Sequence, residues 1–370
     1  MDVEDYNFKN HGNLKHSLYQ LTNGELNILN NKSNEVDTIF DVGTGMDNYI
    51  TFNENEKILY ILFNYLGNAY EDFLFNQAFI DFKTTLKRKE KIFNIERDIE
   101  ILLKKNINFK KKCNEDQGHS DMNKEVMNIV NNIDFESLKK YKYNVDDKRK
   151  IFLFEPKKSN FENMKSSLES FQMLREGYIS LYTWEALRRS NNRKKYRKRP
   201  IIRKYGIIIE KINNLKDFEG IPENYKTFNF GIGNKEETVK FNENLESQII
   251  SNNNYTTTIN IKVLNNFCQE NKIDEIDYLK IDVEGNDLNV IKGASNLIKK
   301  IKFIQFELNK SNNKNSPCNN YTFEDVKEEL GDSFDYYFIF PDKLYKINKE
   351  EVLKINPDYN VYNVLCINKT

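Results

Sequence analysis

The stretch YLKIDVEGNDLNVIKGA, residues 278–294, decides the fold of this chain. Its first residues are rich in β-branched, aromatic and leucine side chains, which predict a buried strand. Gly285 permits a sharp turn directly after that strand, and Asn286 or Asp287 can cap a following helix. Apolar residues from Leu288 onward recur near helical spacing. The stretch therefore predicts a strand–turn–helix unit of an α/β fold.

Two carboxylates, Asp282 and Glu284, stand at the carboxyl end of this predicted strand. Residues i and i+2 of a strand point to the same side, so both side chains are expected to face one ligand. In an open α/β sheet, ligands bind just outside the carboxyl ends of the strands. The pair is a candidate general base, hydroxyl acceptor or metal ligand, although a helix cap with a structural ion pair explains Glu284 equally well.

A glycine turn closes the first predicted strand of the chain. Residues 38–42 (TIFDV) have the pattern of a buried strand, which runs through Asp41 into Gly43-Thr44-Gly45. Glycines at this place let the backbone approach a ligand closely, and such a turn is where α/β folds bind nucleotides. Asp41, Gly43 and Gly45 are therefore candidate binding residues, but a single GxG sequence is equally compatible with an ordinary tight turn.

Glu155 follows the next predicted strand, Ile151–Phe154 (IFLF). An acidic residue there can accept hydrogen bonds from both hydroxyl groups of a ribose, and it usually comes about 20 residues after the glycine turn. Here residues 47–149 separate the two strands, which predicts either a large insertion or a wrong strand assignment. Glu307 lies in a later predicted strand, Phe303–Leu308, and is a further carboxylate at the same edge, although an ordinary strand-end residue is the simpler explanation.

The remaining segments give the order of elements. Helices are predicted over residues 57–112 and Ser159–Leu174. Further strands are predicted at Tyr225–Phe230, Thr238–Phe241, Thr257–Val263, Tyr336–Phe340 and Val361–Ile367. Strands that alternate with helical segments indicate a mostly parallel sheet with helices on both faces. The last two strands are expected to form an antiparallel edge.

Residues 188–204 (RRSNNRKKYRKRPIIRK) contain ten basic residues and no acidic one. Such a run can bind nucleic acid, acidic glycans or a membrane surface. It lacks the interleaved aromatic residues of a platform for single-stranded nucleic acid. A solvated insertion is therefore the preferred interpretation of this basic run.

Composition and charge argue against a polyanionic partner and against a membrane-spanning protein. In 370 residues, 56 Lys and Arg balance 56 Asp and Glu, so the global charge favours no polyanionic partner. There is no apolar leader and no apolar run of about 18 residues. A cytoplasmic protein without a membrane span is therefore expected.

The positions of the cysteines and histidines argue against a zinc site, a disulfide framework and a histidine-dependent nucleophilic triad. The cysteines are scattered, with no CxxC pair, which argues against a zinc site or a disulfide framework; they are Cys113, Cys268, Cys318 and Cys366. The histidines all lie in polar segments, away from predicted strand ends, which argues against a histidine-dependent nucleophilic triad; they are His11, His16 and His119. No metal ligands are assigned from the sequence.

Taken together, these segments resemble the FkbM family of S-adenosylmethionine-dependent methyltransferases. The matching pieces occur in the family order: IFDVGTG at 39–45, FLFEPKKSNFENMK at 152–165, FNFGIGN at 228–234, INIKVLNNF at 259–267, IDYLKIDVEGNDLNVIKGASNLI at 276–298 and IKFIQFEL at 301–308. YNVLCINK, at 362–369, is similar to the closing strand of the family. The KIDVEG block with its helix is the most specific of these pieces.

The resemblance implies a Rossmann-like class I methyltransferase fold, with a mostly parallel seven-stranded sheet, helices on both faces and large helical and polar insertions. It implies a methyltransferase domain at 37–370, and the polar composition of the preceding residues predicts an irregular leader at 1–36. The expected core segments are 37–46, 150–175 and 222–370, and the expected insertions are 47–149 (largely helical) and 176–221 (basic).

The resemblance also implies S-adenosyl-L-methionine as the cofactor and assigns roles at the sheet edge. Asp41, Gly43 and Gly45 would line its methionine and ribose side, Glu155 would hold the ribose hydroxyls, and Gly231 or Ile232 would lie near the adenine. Asp282 would face the reaction centre, with Glu284 and Glu307 as orienting groups.

The sequence departs from the family pattern at two motifs and in its large insertions, which have no counterpart in the compact family core. The first glycine loop usually reads DVGANxG in the family, whereas this chain has DVGTGMDN. The leucine–aspartate pair that usually precedes the KIDVEG block is Leu264-Asn265 here.

The leading functional hypothesis is O-methyl transfer to a hydroxyl group, with a sugar or glycan as the expected acceptor. Asp282 is the first candidate for the base or hydroxyl acceptor. An alternative is a nucleic-acid methyltransferase that uses residues 188–204 to guide RNA. Another is a catalytically silent binding module, which the altered glycine loop motivates. A dehydrogenase is less well supported, because no GxGxxG follows the first strand.

Overall fold

The computed structural model describes residues 3–5, 36–45, 54–88, 90–105, 132–143, 148–192, 220–242, 248–249, 257–309, 321–339, 344–347 and 361–369. The chain divides into two compact units. The sheet unit comprises Met1–Gly45, Lys148–Glu162 and Asn224–Thr370, and the helical unit comprises Met46–Asp147 and Asn163–Glu223. The three histidines, Cys113, Cys318 and residues 193–204 lie outside the described residues.

The strands follow one another from β1 to β13 along the sheet unit. They are β1 (Val3–Asp5), β2 (Thr38–Val42), β3 (Lys150–Phe154), β4 (Tyr225–Phe228), β5 (Gly231–Gly233), β6 (Glu237–Asn242), β7 (Gln248–Ile249), β8 (Thr257–Val263), β9 (Ile276–Ile281), β10 (Ile301–Asn309), β11 (Phe334–Ile339), β12 (Leu344–Lys346) and β13 (Val361–Asn368). Nine of them form one sheet, in the order β1-β12-β11-β13-β10-β9-β2-β3-β4.

The centre of this sheet is parallel. β10, β9, β2, β3 and β4 pair in parallel, one after another. Successive strands move outward from β2 through β3 to β4, and the chain then returns to the other side of β2 with β9 and β10. The crevice at the carboxyl ends of β2 and β9 is therefore the topological switch point, where ligands bind in open α/β sheets. A mostly parallel α/β sheet is confirmed.

The predicted number of seven strands is wrong, because two further strands extend the sheet to nine. β13 lies antiparallel between β10 and β11, as expected for the closing strands, but β12 and β1 continue the sheet beyond β11. β1 belongs to the segment that the sequence predicted to be an irregular leader. Each added strand satisfies backbone groups that an open edge would leave unpaired. A three-residue strand has too little periodicity to be read from sequence.

A second sheet of four strands has the order β5-β8-β6-β7. The predicted strands at residues 238–241 and 257–263 are confirmed as β6 and β8, but they pair in this separate sheet. The strand predicted at residues 225–230 ends at Phe228, and Gly231–Gly233 pairs with β8 instead of continuing β4. The second sheet therefore begins directly after the last strand of the parallel series.

The helices are α1 (Glu54–Ala69), α2 (Glu71–Arg88), α3 (Ile95–Lys104), α4 (Phe135–Lys139), α5 (Lys158–Arg175), α6 (Leu181–Asn192), α7 (Leu264–Glu270), α8 (Asp287–Ala294) and α9 (Phe323–Leu330). The helix predicted at residues 159–174 is confirmed as α5. Of the residues predicted to be helical over 57–112, those that the structure describes form three helices with short connections, α1 to α3, and residues 106–112 lie outside the described part of the chain. Asn94 starts α3 as a new helix, because its side chain accepts a hydrogen bond from the Arg97 N–H at 2.8 Å.

Apolar strands form the core of the sheet unit. Phe40, Phe154, Tyr278 and Phe306 are fully buried on β2, β3, β9 and β10. Parallel strands that are covered on both faces have nearly continuous apolar sequences. For this reason TIFDV (residues 38–42) and IFLF (residues 151–154) could be recognised as strands from the sequence. Helix α8 packs against β5 so closely that a Cβ added at Gly293 would lie 2.0 Å from the Gly233 carbonyl oxygen.

A buried ionic network stabilises the helical unit. Arg97 binds Asp81 at 2.6 Å and Asp98 at 2.9 Å, and Asp98 accepts a hydrogen bond from the Leu181 N–H at 2.7 Å. Burial raises the pKa of Asp98 to about 7, while the Leu181 N–H and Arg97 partly offset that rise. The network ties α3 to the first residue of α6.

Candidate functional site

The backbones of the two central strands touch at the switch point. The Asp282 N–H, directly after β9, donates to the Val42 carbonyl oxygen at 2.9 Å. Gly43 follows β2 with a φ of +85°, and a Cβ there would lie 1.8 Å from the Asp282 carbonyl oxygen. A glycine is therefore required at this position by both conformation and space.

The glycine turn is also tied to β3. The N–H groups of Gly43 and Thr44 donate to the Phe154 carbonyl oxygen at 2.9 and 3.2 Å. β2 and β3 are direct neighbours, with Val42 opposite Phe154. A large insertion thus separates the two strands in sequence, and the alternative of a wrong strand assignment is excluded.

Glu155 is fixed by backbone donors on both sides. Its Oε2 accepts from the Gly45 N–H at 2.9 Å, and its Oε1 accepts from the Lys157 N–H at 2.8 Å. Burial raises the pKa of Glu155 to about 7, and the Lys157 and Gly45 N–H groups partly offset that rise. Each carboxylate oxygen has a further lone pair, so a carboxylate held in this way can still accept two hydroxyl groups.

Lys280 links the two carboxylates that flank the switch point. Its Nζ lies 3.3 Å from Asp41 Oδ1 and 3.6 Å from Asp282 Oδ2. Asp41 is buried, and burial raises its pKa; Lys280 lowers it and Asp282 raises it further. The sequence did not lead us to single out Lys280. Its position two residues before Asp282, at the end of a predicted strand, was a usable signal.

Four carboxyl groups form a carboxylate cluster at the ends of β9 and β10: Asp282, Glu284, Asp287 and Glu307. Burial raises the pKa of Glu307 to about 8, and the charges of Asp282, Asp287 and Glu284 act in the same direction. The structure thus brings together the three predicted catalytic residues, Asp282, Glu284 and Glu307, and adds Asp287. No group of three His, Cys, Asp or Glu among the described residues has the geometry to hold a metal ion.

Asp287 is the site residue that sequence reasoning assigned differently. It was expected at most to cap the helix, but it is fully buried at the first position of α8. Its Oδ1 accepts from the Glu307 N–H at 3.4 Å, while its Oδ2 is buried with no hydrogen-bond partner. Asn286 occupies the N-cap position and makes no side-chain capping bond. In the sequence, only its closeness to Asp282 and Glu284 pointed to a place for Asp287 in the site.

The spacing predicted that Asp282 and Glu284 point to the same side of one strand. In the structure neither residue lies in a strand. β9 ends at Ile281, and the next residues form a turn in which Glu284 has a φ of 53° and Gly285 a φ of 91°. The alternation of side chains therefore stops before Asp282. The predicted sharp turn at Gly285 is present.

Gly231 and Ile232 lie on β5, beside the end of β3. A Cβ at Gly231 would be 3.8 Å from Pro156 Cβ, and Asn229 donates to the Glu155 carbonyl oxygen at 2.9 Å. The Ile232 side chain is buried in the apolar core. Only its backbone is therefore available to a ligand.

The first two arginines of the basic run, Arg188 and Arg189, form contacts within the helical unit. Arg189 is 3% exposed, and its Nε donates to Glu185 Oε1 at 2.7 Å. Arg188 donates to Glu185 Oε2 at 2.8 Å and to Asn64 Oδ1 at 2.9 Å. A Cβ at Gly67 would lie 2.1 Å from Arg189 Nε. Arg189 is therefore a buried structural residue and Arg188 a partly buried one, which corrects the interpretation of the whole run as a solvated insertion.

A cavity of about 600 Å³ lies in the helical unit. Phe93, Tyr143, Gln172 and Arg175 are among its lining residues, and none of the candidate site residues lines it. Within the described parts of the chain, no helix is long and apolar enough to cross a membrane. Cys268 and Cys366 are buried and free.

Comparison with known proteins identifies the family. The sequence model of the Methyltransferase FkbM domain matches residues 128–338, a range that includes Glu155, Asp282 and Glu307 but not the glycine turn after β2. No curated protein and no solved structure matches the chain. Because the matched range covers more than half of its residues, the chain belongs to the FkbM family of methyltransferases.

Proposed function

We propose that this protein transfers a methyl group from S-adenosyl-L-methionine to a hydroxyl group, with a sugar or glycan as the acceptor. The observation that carries the proposal is the position of Glu155 beside the glycine turn. Its carboxylate is held by the Gly45 N–H at 2.9 Å, next to the switch point of the parallel sheet. This is the arrangement that adenosine-type ligands need for their ribose hydroxyls.

The residues at the sheet edge fit this cofactor. Among the described residues, a Cβ at Gly45 would meet no atom within 4 Å, so they leave open space at the turn whose N–H holds the Glu155 carboxylate. We assign Glu155 to the ribose hydroxyls, and Asp41, Gly43 and Gly45 to the methionine and ribose side. The backbones of Gly231 and Ile232 are assigned to the adenine, since β5 begins next to Pro156.

The reaction needs alignment of the acceptor and removal of one proton. The bound cofactor supplies a methyl group already activated by its positive sulfur. Asp282 is assigned to accept the hydrogen bond, and then the proton, of the acceptor hydroxyl, because its side chain is 46% exposed at the switch point. Lys280 holds Asp282 in place, and Glu284 and Glu307 orient the acceptor. Such positioning supplies most of the catalysis in a displacement of this kind.

We propose one methyltransferase domain at residues 37–370, preceded by a leader at 1–36. Its insertions at 47–149 and 176–221 would carry acceptor specificity, because specificity in α/β enzymes resides in loops and insertions.

A transfer assay with a labelled methyl group tests the proposal. The full chain is incubated with the labelled cofactor and panels of mono- and oligosaccharides, with RNA in a parallel panel. We expect a saccharide to be labelled by the wild type, with the labelling lost in Asp282→Asn and retained in the control Glu270→Gln, at an exposed position of α7. Label in RNA alone would replace the acceptor class. No cofactor binding by the folded protein would favour the catalytically silent module.

A further inference from the structure

The carboxylate cluster concentrates negative charge at the place proposed for methyl transfer. Asp282, Glu284 and Asp287 each raise the pKa of Glu307 through their charge, and Lys280 is the cation that lowers it. Lys280 also lies 3.3 Å from Asp41, so its positive charge is shared with a carboxylate outside the cluster. A positively charged ligand at this place is therefore attracted by the ionised members of the cluster and favours ionisation of the others.

Asp287 gives independent support for a ligand here. The residue is fully buried, and its Oδ2 has no hydrogen-bond partner among the residues that the structure describes. A buried polar atom without a partner carries a desolvation cost, and such atoms in folded proteins need a specific reason. Asp282 is the charged residue that most affects Asp287, so the Asp287 carboxyl group interacts with the cluster itself.

The protonation of the cluster responds to charge. Burial raises the pKa of Asp287 to about 8, with Asp282 adding to the rise, and burial likewise raises the pKa of Glu307 to about 8. At neutral pH both groups are therefore mostly protonated in the free protein. A cation bound among them favours the ionised form, lowers both pKa values and releases protons.

We propose that the carboxylate cluster is the counter-charge for the sulfonium of S-adenosyl-L-methionine and distinguishes it from the neutral product S-adenosyl-L-homocysteine. The inference rests on the proposed function, and it assigns Asp287 to ligand discrimination. A divalent metal ion is the less suitable occupant, because the described residues provide no metal-binding geometry. The product is neutral at sulfur, so the cluster holds it more weakly and favours its release.

Titration calorimetry on the full chain at pH 7 tests the inference. The ligands are S-adenosylmethionine, S-adenosylhomocysteine and sinefungin, in which an amine replaces the sulfonium. Each titration is repeated in two buffers of different ionisation enthalpy, which measures the protons released. We expect proton release with the two cationic ligands and none with S-adenosylhomocysteine.

The variant Asp287→Asn keeps the shape of the side chain and removes its ability to ionise. We expect it to bind S-adenosylmethionine about tenfold more weakly, with the affinity for S-adenosylhomocysteine changed by less than about twofold. Proton release should fall with the loss of affinity. Glu307→Gln is a second variant with the same expectation, should Asp287→Asn fail to fold.

A matched control removes a carboxylate outside the cluster. Glu270→Gln breaks the exposed pair with Lys262 at 3.3 Å and should change neither affinity nor proton release. Equal weakening of both ligands by Asp287→Asn, or no proton release by the wild type, would overturn the inference and leave the proposed function standing. If the folded wild type binds neither ligand, the proposed function and this inference fail together.

Discussion

Gly43 is the residue at which β2 and β9 come closest. Replacement by alanine would put a Cβ 1.8 Å from the Asp282 carbonyl oxygen, at a φ of +85°. Because that oxygen belongs to the backbone, the strand ends themselves must separate. We expect Gly43→Ala to lower the free energy of unfolding by more than about 2 kcal/mol, measured by urea denaturation.

The control for this prediction is Gly331→Ala. Gly331 has a φ of +68°, but a Cβ there would meet nothing within 4 Å. Only the conformational penalty applies, which is about 1–3 kcal/mol for a φ of 68° and a ψ of −163°. Equal losses for the two variants would show that the close approach of β2 and β9 contributes nothing.

The carboxyl groups of Asp287 and Glu307 make stability depend on pH. Burial raises the pKa of each to about 8, so the folded state binds more protons than the unfolded state between about pH 4 and pH 8. The free energy of unfolding should therefore decrease as the pH rises, by at least about 1 kcal/mol between pH 6 and pH 9. Urea titrations at the two pH values measure it.

Asp287→Asn should reduce this dependence, because asparagine cannot ionise. Burial also raises the pKa values of Glu155 and Asp98 to about 7, so part of the dependence should remain. A protein that is more stable at pH 9 than at pH 6 would contradict the assignment of the buried carboxyl groups.

Residues whose role follows from their local sequence were the predictable ones. Glu155 and Gly43 each end or follow an apolar strand, so their place at the sheet edge was evident. Arg189 and Asp287 were not predictable, because each contacts a residue that is distant in sequence, Asn64 and Glu307 respectively. Their local sequence indicates only a run of basic residues in one case and a helix start in the other. A charged residue gives no sequence signal that it will be buried.

At the scale of elements, α8 is positioned by a glycine. A Cβ at Gly293 would lie 2.0 Å from the carbonyl oxygen of Gly233, so Gly293→Ala must move α8 away from β5. We expect a loss of about 2 kcal/mol or more in the free energy of unfolding, measured by urea denaturation. Lys292→Ala, at an exposed position of the same helix, should change it by less than about 0.5 kcal/mol. Similar effects for the two variants would contradict this packing.

Two ion pairs with the same spacing along a helix allow a direct comparison. Glu185 and Arg189 on α6 are 2.7 Å apart and almost fully buried, whereas Glu100 and Lys104 on α3 are 3.3 Å apart and exposed. Arg189→Met removes the bond to Glu185 Oε1 but leaves Arg188 paired with Glu185, so it should cost about 1–3 kcal/mol. Lys104→Met should cost less than about 0.5 kcal/mol.

Urea denaturation measures the free energy of unfolding of both variants. A binding titration with RNA then shows whether Arg189 has a structural role or binds a ligand. Arg189→Met should leave any RNA affinity unchanged when measured on folded protein. A stable Arg189→Met variant with weaker RNA binding would contradict the structural role of this residue.

The predictability of an element follows from its length and burial. β2, β3 and β9 are apolar strands covered on both faces, and their composition identifies them without further information. β1 and β5 have three residues each and owe their pairing to the neighbouring strands. The nine-stranded sheet and the second sheet were therefore not foreseeable, whereas the parallel centre was.

At the scale of the molecule, the sheet unit is assembled from three separate segments of the chain. Loop-closure entropy grows slowly with length, so a folded insertion between β2 and β3 costs the sheet little. The pairing of Val42 with Phe154 preserves the arrangement of Gly45 and Glu155 across that insertion. The distance in sequence between the glycine turn and its acidic partner thus has no bearing on whether they form one site.

The most direct test of the central claim is binding of S-adenosylmethionine, measured by titration calorimetry on wild type, Glu155→Ala and Asp282→Asn. Wild type should bind in the micromolar range and Glu155→Ala should not bind, whereas Asp282→Asn, which removes one charge of the carboxylate cluster and none of the ribose contacts, should bind no more than about tenfold more weakly. That result would separate the cofactor role of Glu155 from the acceptor role of Asp282. Folded wild-type protein that does not bind the cofactor, or binding that survives Glu155→Ala unchanged, would contradict the account.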